Sequence, residues 1–514
     1  MTLHRILVSG LVCFTLLASG DVFAQQQSRP NVLFIAIDDL NDWVDLFGGH
    51  PQAETPNLDR FARQGAVVFQ NASCPGPVCG PSRSALLSGY MPHHSGVYGN
   101  AQNMRQSPLI AANPTLPEYF SQHGYRTISQ GKIFHAHGTP GGIDRGQWAF
   151  QDWSSGEGGS KVDRTQVTSR DKNLIAGKPA APSKYNQSGG SEFAFGPTVG
   201  EVDDTSDYKT AAWAAQQLQQ PSDSPFFLAV GLSKPHLPFY VPQSFFDLYP
   251  IEQIQLPPIK EDDLQDIQTP AGKVKFSATN DYLWLREQGQ MKQAVQAYLA
   301  AVSFADACIG KILEGLNDGP NADNTIVVIW GDHGWHLGEK LRFRKATGWP
   351  EATRCPLLIR TPAMTERADC QSVVNLIDLY PTLVDYCGLP AKDDLDGSSL
   401  VPLLTDPGGK IHNYTTTIFG FQRAAITDGH WHYARHDDET EELYDLKSDP
   451  MGWDNLAGQT DSQIEQTLQR FREQLPQQFA KPIDKTPQAV KKHAKGLNRD
   501  LKWPRSLQSI SSGQ

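Results

Sequence analysis

The chain has 514 residues, 39% of them hydrophobic and 10% aromatic, which is enough for one large domain with a substantial core and a smaller second domain. The formal net charge of −11 argues against nucleic acid as a partner and against broad electrostatic capture of polyanions. An anionic substrate would therefore need a local basic pocket.

Residues 1–24 are typical of a secretory signal peptide. His4 and Arg5 precede an apolar run, "ILVSGLVCFTLLASG", and small residues end the segment at "VFA". The run is short for a membrane span, and no later stretch reaches the length that a bilayer requires. We therefore expect a secreted or periplasmic protein without a membrane span. Six cysteines remain beyond this segment, too few for disulfides to determine the fold.

Four continuous apolar runs predict strands that are buried on both faces, as in a mostly parallel sheet. They lie at 31–37, 125–131, 225–232 and 324–331. Helical periodicity is found between and after them, at 56–64, 82–88, 115–123, 207–219, 292–316, 375–387 and 462–474. The predicted fold class is α/β, with a large, mostly parallel or mixed sheet sandwiched by helices.

Two regions depart from this pattern. Residues 138–205 are rich in Gly, Ser, Asp and Lys, and we expect them to form a long surface excursion. From about residue 406, short alternating segments predict a small antiparallel sheet covered by one helix. The predicted organisation is a signal peptide at 1–24, a catalytic domain at 25–405 and a C-terminal subdomain at 406–514 with a loosely ordered tail.

Polar side chains follow each of the four predicted strands, in "DDLND", "KIFH", "SKPH" and "DHGWHLGE". Ligands of an open parallel sheet bind beyond the carboxyl ends of its strands, so we expect these segments to converge. Adjacent carboxylates such as Asp38 and Asp39 are usually a turn or a helix cap. Together with Asp332, however, they would suit a hard cation such as calcium.

Each basic residue near these strands also has an ordinary structural explanation. His135, His236 and His333 would individually be structural histidines more often than functional ones. Lys132 lies beside His135, and such clustered positive charge is costly unless an anion binds to it. Lys345 follows "RFR" and by itself suggests a solvated basic surface.

Cys79 has three interpretations. It can form a tight disulfide with Cys74, or it can be a thiol nucleophile activated by Arg83 and a helix amino terminus. A free reactive thiol outside the cell is prone to oxidation, however. The third interpretation is a precursor residue that is converted before export.

The string "CGPSR" at 79–83, followed by "SALLSG", resembles the sulfatase signature, whose first residue is oxidised to formylglycine. "NVLFIAIDDL", "GDHGWHLGE" and "ELYDLKSDP" extend the resemblance along most of the chain. The segments "GKIFH" and "SKPHLPF" are most similar to the iduronate-2-sulfatase group. This resemblance implies an alkaline phosphatase-like α/β fold and hydrolysis of sulfate esters.

The resemblance also implies a role for each site residue. The hydrated aldehyde at position 79 would attack sulfur with one hydroxyl and expel the sugar oxygen. Loss of a proton from the other hydroxyl would then eliminate sulfate and restore the aldehyde. Arg83 and His135 would position and activate this diol, with Lys132 beside them. His236 and Lys345 would hold sulfate oxygens and assist the leaving group. One calcium ion would be bound by Asp38, Asp39, the modified Cys79, Asp332 and His333.

The predicted function is therefore calcium-dependent removal of 2-O-sulfate from iduronate-type uronates of sulfated polysaccharide. A formylglycine-generating enzyme is the expected maturation partner, and Trp335 and the 138–205 excursion are expected to contact the sugar. Two alternatives remain open. The protein can be a phosphate or phosphonate ester hydrolase of the same superfamily, or a sugar-binding pseudo-enzyme with an unmodified Cys79.

Overall fold

The computed structural model describes residues 29–135, 149–154, 160–178, 185 and 191–484. The predicted signal peptide and most of the C-terminal tail lie outside these residues. No helix in the described ranges is both long enough and apolar enough to cross a bilayer.

The principal sheet has eight strands, and its order explains why the site residues converge. Its strands lie in the order β13-β2-β12-β9-β1-β7-β3-β4. All of its pairings are parallel except those of β12, which runs antiparallel to both β2 and β9. The strands of the described chain are β1 (Asn31–Ile37), β2 (Val67–Ser73), β3 (Arg126–Gly131), β4 (Asp152–Ser154), β5 (Thr168–Ser169), β6 (Ala194–Thr198), β7 (Phe226–Leu232), β8 (Phe239–Pro242), β9 (Thr325–Gly331), β10 (His336–Leu337), β11 (Phe343–Arg344), β12 (Leu357–Arg360), β13 (Ala368–Asn375), β14 (Thr415–Gly420), β15 (Arg423–Thr427), β16 (Trp431–Arg435) and β17 (Glu441–Asp445).

Helices cover both faces of this sheet. Leu33 and Ile35 of β1 belong to one hydrophobic cluster, whereas Val32 and Phe34 belong to another, because successive side chains of a strand point to opposite faces. The predicted α/β sandwich is therefore confirmed. The helices are α1 (Pro56–Arg63), α2 (Cys79–Ser88), α3 (Pro92–Ser95), α4 (Pro108–Ala111), α5 (Leu116–Gln122), α6 (Ser206–Leu218), α7 (Gln243–Phe246), α8 (Asn280–Glu287), α9 (Met291–Asn317), α10 (Pro350–Thr353), α11 (Leu379–Tyr386), α12 (Val401–Thr405) and α13 (Ser462–Gln474).

The C-terminal part forms the small antiparallel sheet that the alternating segments predict. Strands β14, β15, β16 and β17 pair in sequence order, and each pairing is antiparallel. Ile464, Leu468 and Phe471 of α13 pack on Tyr433 of this sheet, so the helix covers one face of it.

The 138–205 excursion is more integrated than the sequence predicts. Within its described residues, β4 extends the edge of the principal sheet, and β6 pairs with β8. Phe193 and Arg170 are buried. The low periodicity of this segment therefore reflects short elements that pack on the main domain rather than a purely surface position.

Candidate active site

The acids and bases predicted at the strand ends converge on one edge of the sheet. Strands β9, β1, β7 and β3 are consecutive neighbours in the sheet. The amide of Asp38 donates to the carbonyl of Leu232 at 3.1 Å, and that of Asp332 donates to Ile37 at 3.2 Å. The sheet hydrogen bonding thus continues into the loops and fixes where the first side chains after each strand lie.

Cys79 begins α2 at the centre of this cluster and is fully buried. Its Sγ lies 2.9 Å from Lys345 Nζ, 3.4 Å from His333 Nε2 and 3.7 Å from Asp39 Oδ1. Cys74 and Cys79 are both free thiols, so the disulfide alternative is wrong. Burial and Asp38 act to raise the pKa of the Cys79 thiol, but Lys132 and Lys345 outweigh them and hold it below its ordinary value.

Arg83 lies one turn further along α2 and connects three strand ends. Its Nε donates to Asp332 Oδ2 at 2.8 Å, and its Nη2 lies 3.3 Å from Asp38 Oδ1. Nη1 donates to the carbonyls of Lys132 and Ile133 at 2.5 and 3.0 Å. Because a buried guanidinium must be both ion-paired and hydrogen-bonded, this set of partners accounts for an arginine that has no exposed surface.

The two adjacent aspartates have different environments. Burial acts to raise the pKa of Asp38, but Lys132, His236 and Arg83 outweigh it and hold that pKa well below its ordinary value. For Asp39 burial prevails and raises the pKa. Asp39 also has a left-handed backbone, with φ of 63°, and its buried Oδ2 has no hydrogen-bond partner.

Basic side chains surround this pair of carboxylates. Lys132 Nζ pairs with Asp38 Oδ2, and Lys345 Nζ pairs with Asp39 Oδ1. His236 Nε2 lies 4.0 Å from Asp38 and 3.9 Å from Asp39, and burial lowers the pKa of this imidazole to about 3. The side chains of His236 and Lys345 are 22% and 13% exposed, so they form the accessible side of an otherwise buried cluster.

Comparison with known proteins identifies the family of the chain. The sequence model of the sulfatase family matches residues 30–389, and that of the C-terminal region of N-sulphoglucosamine sulphohydrolase matches residues 331–481. The chain belongs to the sulfatase family. It is 36% identical to a sulfatase of Formosa agariphila over 438 residues, which is 84% of each chain. It is 30% identical to iduronate 2-sulfatase of Mus musculus over 403 residues, covering 70% of this chain and 69% of that protein.

The fold is also similar to that of a phosphonate monoester hydrolase of Agrobacterium radiobacter. The TM-score is 0.66 at 21% identity, and the match covers 87% of this chain and 96% of that chain. This likeness concerns the fold alone. The family assignment rests on the sequence, and it makes the chain a sulfuric ester hydrolase.

The predicted metal ligands of this sulfatase lie together. Ligand atoms of Asp38, Asp39, Cys79 and His236 lie within 4.8 Å of one another, as do those of Cys79, Asp332 and His333. The resemblance implies that His236 binds sulfate oxygens, but in the fold its position also suits a cation site. The three carboxylates supply the oxygen donors that calcium prefers, and the unpartnered Oδ2 of Asp39 is a donor atom that the protein itself leaves unused.

His135 and Trp335 need separate comment. His135 is half-buried and is the last described residue before the gap at 136–148. Its contact with the diol stays a prediction. Trp335 is 2% exposed and packs edge-on against Phe239, and Lys345 Nζ lies 5.3 Å above its ring. The expectation that Trp335 contacts sugar is therefore wrong, because the indole supports Lys345 from the core side.

The structure adds residues that sequence analysis missed. Tyr298 of α9 donates its hydroxyl to the Asp39 carbonyl at 2.8 Å and accepts from the Asn41 amide at 2.9 Å. Asp281 accepts from Arg344 Nε at 2.6 Å and from Arg170 Nη1 at 2.5 Å. It thereby connects the 138–205 segment to the residue before Lys345. In the sequence, Tyr298 is indistinguishable from a core aromatic of a helix.

Proposed function

We propose that this sulfatase hydrolyses sulfate esters with a formylglycine formed from Cys79 and with one calcium ion. The observation that carries the proposal is the environment of Cys79, a buried side chain at the amino end of α2 with a lysine, a histidine and a carboxylate within 3.7 Å of its Sγ. A hydrated aldehyde supplies a nucleophilic hydroxyl, and calcium supplies positive charge for the developing oxyanions.

Asp38, Asp39, Asp332, His333 and position 79 would hold the calcium ion. Asp38 is suited to remain ionised because Lys132, His236 and Arg83 overcome the effect of burial on its pKa. Arg83 fixes Asp38 and Asp332 relative to each other through its two ionic contacts. The ligand set is thus held in place by the same helix that carries the reacting residue.

His236 and Lys345 would bind the sulfate group, and Lys132 would lie beside the diol. Sulfuryl transfer places negative charge on the peripheral and leaving oxygens, and fixed cations in a buried site stabilise that charge more than water does. His236 is suited to the leaving-group side, since its side chain is 22% exposed, more than those of Lys345 and Lys132. Lys345 is assigned to that side by resemblance. His135 is assigned to the diol by resemblance.

We propose 2-O-sulfated, iduronate-type uronates of sulfated polysaccharide as the substrate class, and a secreted or periplasmic location for the protein. The similarity to mouse iduronate 2-sulfatase supports this assignment. The sequence of residues 1–24 supports export, and the "CGPSR" string supports a formylglycine-generating enzyme as the maturation partner.

Mass spectrometry of the tryptic peptide 64–83 tests the nucleophile. Conversion of Cys79 to formylglycine should lower its mass by about 18 Da, because an aldehyde replaces the thiol. Cys79→Ala should abolish sulfate ester turnover at an unchanged melting temperature, whereas Cys308→Ala, at another buried free thiol, should retain turnover. An unshifted peptide mass in an active preparation would remove the assignment. An unshifted mass without activity, in protein produced together with a formylglycine-generating enzyme, would indicate the pseudo-enzyme.

Phosphonate ester hydrolysis is a second candidate, favoured by the fold likeness to the phosphonate monoester hydrolase. Turnover of 4-nitrophenyl sulfate and of 4-nitrophenyl phenylphosphonate by one preparation separates the two. We expect the larger kcat/KM for the sulfate. The reverse order would make phosphonates the primary substrates.

A further inference from the structure

A small cavity lies between the loop that carries Lys345 and the C-terminal sheet. We call it the junction cavity. Its volume is about 50 Å³. None of its lining residues in the described chain is acidic, and the lining includes Phe276, Arg342, Trp349, Phe419, Arg423 and His436.

Arg342 is the unusual member of this lining. Its guanidinium carbon lies 4.7 Å from the ring centre of Trp349 and 5.5 Å from that of Phe276, so two aromatic faces hold it in place. Within the described residues it forms no ion pair, and its one hydrogen bond is a long contact of 3.4 Å from Nε to the Lys340 carbonyl. Burial lowers its pKa to about 10, although Glu442 and Glu351 act in the opposite direction.

Of the two carboxylates that act on Arg342, Glu442 is already engaged, whereas Glu351 forms no ion pair with Arg342 within the described residues and its buried Oε2 has no hydrogen-bond partner. Glu442 accepts hydrogen bonds from Trp349 Nε1, His436 Nε2 and the Tyr444 hydroxyl, each at 2.6 Å. Arg423 pairs with Asp437 at 2.9 Å. Arg342 therefore presents a guanidinium whose charge lacks a dedicated protein partner. Such a group is well suited to bind an oxyanion in bidentate fashion.

The cavity adjoins the catalytic centre. Ala346 lines it and directly follows Lys345, whose ammonium contacts Cys79. The Ala346 amide donates to the Pro77 carbonyl at 3.0 Å, two residues before Cys79. The loop that carries Lys345 therefore also forms one wall of the junction cavity.

We infer that the junction cavity binds a second anionic group of the substrate, a sulfate or carboxylate other than the ester being hydrolysed, through Arg342. This inference rests on the proposed function, because it requires an anionic oligosaccharide in the active site. It assigns Arg342 to substrate selection rather than to bond cleavage.

The test compares Arg342→Gln with wild type on three substrates. These are 4-nitrophenyl sulfate, a uronate–glucosamine disaccharide sulfated only at the uronate O2, and the same disaccharide with a further sulfate on glucosamine. We expect Arg342→Gln to lower kcat/KM on the doubly sulfated disaccharide at least tenfold, mainly through KM, and to change it less than twofold on the aryl sulfate. Arg360→Gln is the matched control, because Arg360 also stacks on a ring, Phe61 at 4.6 Å, but lies outside the cavity lining.

Each outcome decides the inference. A loss confined to the doubly sulfated substrate identifies the bound anion as sulfate, and an equal loss on both disaccharides identifies it as the uronate carboxylate. An equal loss on all three substrates, or no loss on any, would overturn the inference. Wild-type enzyme that hydrolyses the aryl sulfate but neither disaccharide would overturn it together with the uronate assignment and leave sulfatase chemistry intact.

Discussion

At the scale of one residue, the contacts of Lys345 in the fold indicate a role that its neighbours in the sequence do not. In the sequence it belongs to a basic run, yet in the fold its ammonium contacts Cys79, pairs with Asp39 and lies over the ring of Trp335. Burial acts to lower the pKa of Lys345, but Asp39 and Cys79 prevail and raise it. The lysine is thus held charged where the sulfate oxygens would bind.

Lys345→Ala should lower kcat on 4-nitrophenyl sulfate by about 10²- to 10³-fold, the cost of losing one fixed donor to a developing oxyanion. Steady-state kinetics and a melting temperature on the same sample check this. Lys311→Ala, which removes a surface lysine paired with Glu314, should leave kcat unchanged. A Lys345→Ala enzyme within twofold of wild type would exclude Lys345 from the sulfate site.

At the scale of elements, the long helix α9 supports the site from below. Tyr298 is fully buried, and its hydroxyl holds both the carbonyl of the left-handed Asp39 and the amide of Asn41. Asn41 in turn donates to the Trp335 carbonyl at 3.1 Å. One helix thereby fixes the loop after β1 and connects it to the loop after β9.

Tyr298→Phe should weaken calcium binding by about tenfold, the usual effect of losing a group that orients metal ligands. Isothermal titration calorimetry measures this without reference to turnover. Tyr249→Phe is the matched control, since the Tyr249 hydroxyl likewise bridges a loop amide, that of Glu54, to Ser303 of α9. Equal calcium affinities of the two variants would show that Tyr298 acts on stability alone.

The four strands that precede the site residues are predicted from the sequence, whereas β12 and β13 of the same sheet are not. Strands β1, β7 and β9 are mostly apolar runs of seven residues, and β3 is a largely buried segment beside β7. In contrast, β12 has four residues and β13 contains a register shift and an exposed Asp369, so neither has a clear period. Residues directly after the four strands could be placed for that reason. The role of Tyr298 could not, because its partner Asp39 lies 259 residues away.

At the scale of the whole molecule, the C-terminal sheet meets the catalytic part through buried polar contacts. Glu442 of β17 binds Trp349, and His432 Nε2 donates to the Gly348 carbonyl at 2.7 Å. Both partners follow Lys345 on the same loop. The small sheet therefore supports the active-site loop as well as its own core.

Glu442→Gln should lower the free energy of unfolding at pH 7 by about 1–3 kcal/mol, the usual cost of disrupting a buried charged hydrogen-bond network. Burial acts to raise the pKa of Glu442, but His436, Tyr444 and Trp349 hold it below its ordinary 4.5. Its stabilisation is thus complete above pH 4.5 and is lost as the pH falls through the lowered folded-state value.

Urea unfolding of wild type and Glu442→Gln from pH 7 to pH 3 checks this sign. The difference in free energy of unfolding between wild type and Glu442→Gln should become smaller as the pH falls. Glu261→Gln, at a side chain 62% exposed, is the surface control and should match wild type at pH 7. A difference that widens toward pH 3 would contradict the network.

The burial of α2 bears on whether Cys79 could be modified before or after the chain folds. Every residue from Cys79 to Ser88 is buried in the folded protein. A modifying enzyme that must bind the string "CGPSR" would find all five of its residues buried after folding. In the proposed mechanism, conversion of Cys79 would therefore take place on the nascent or unfolded chain, and a molecule that folded first would keep its thiol.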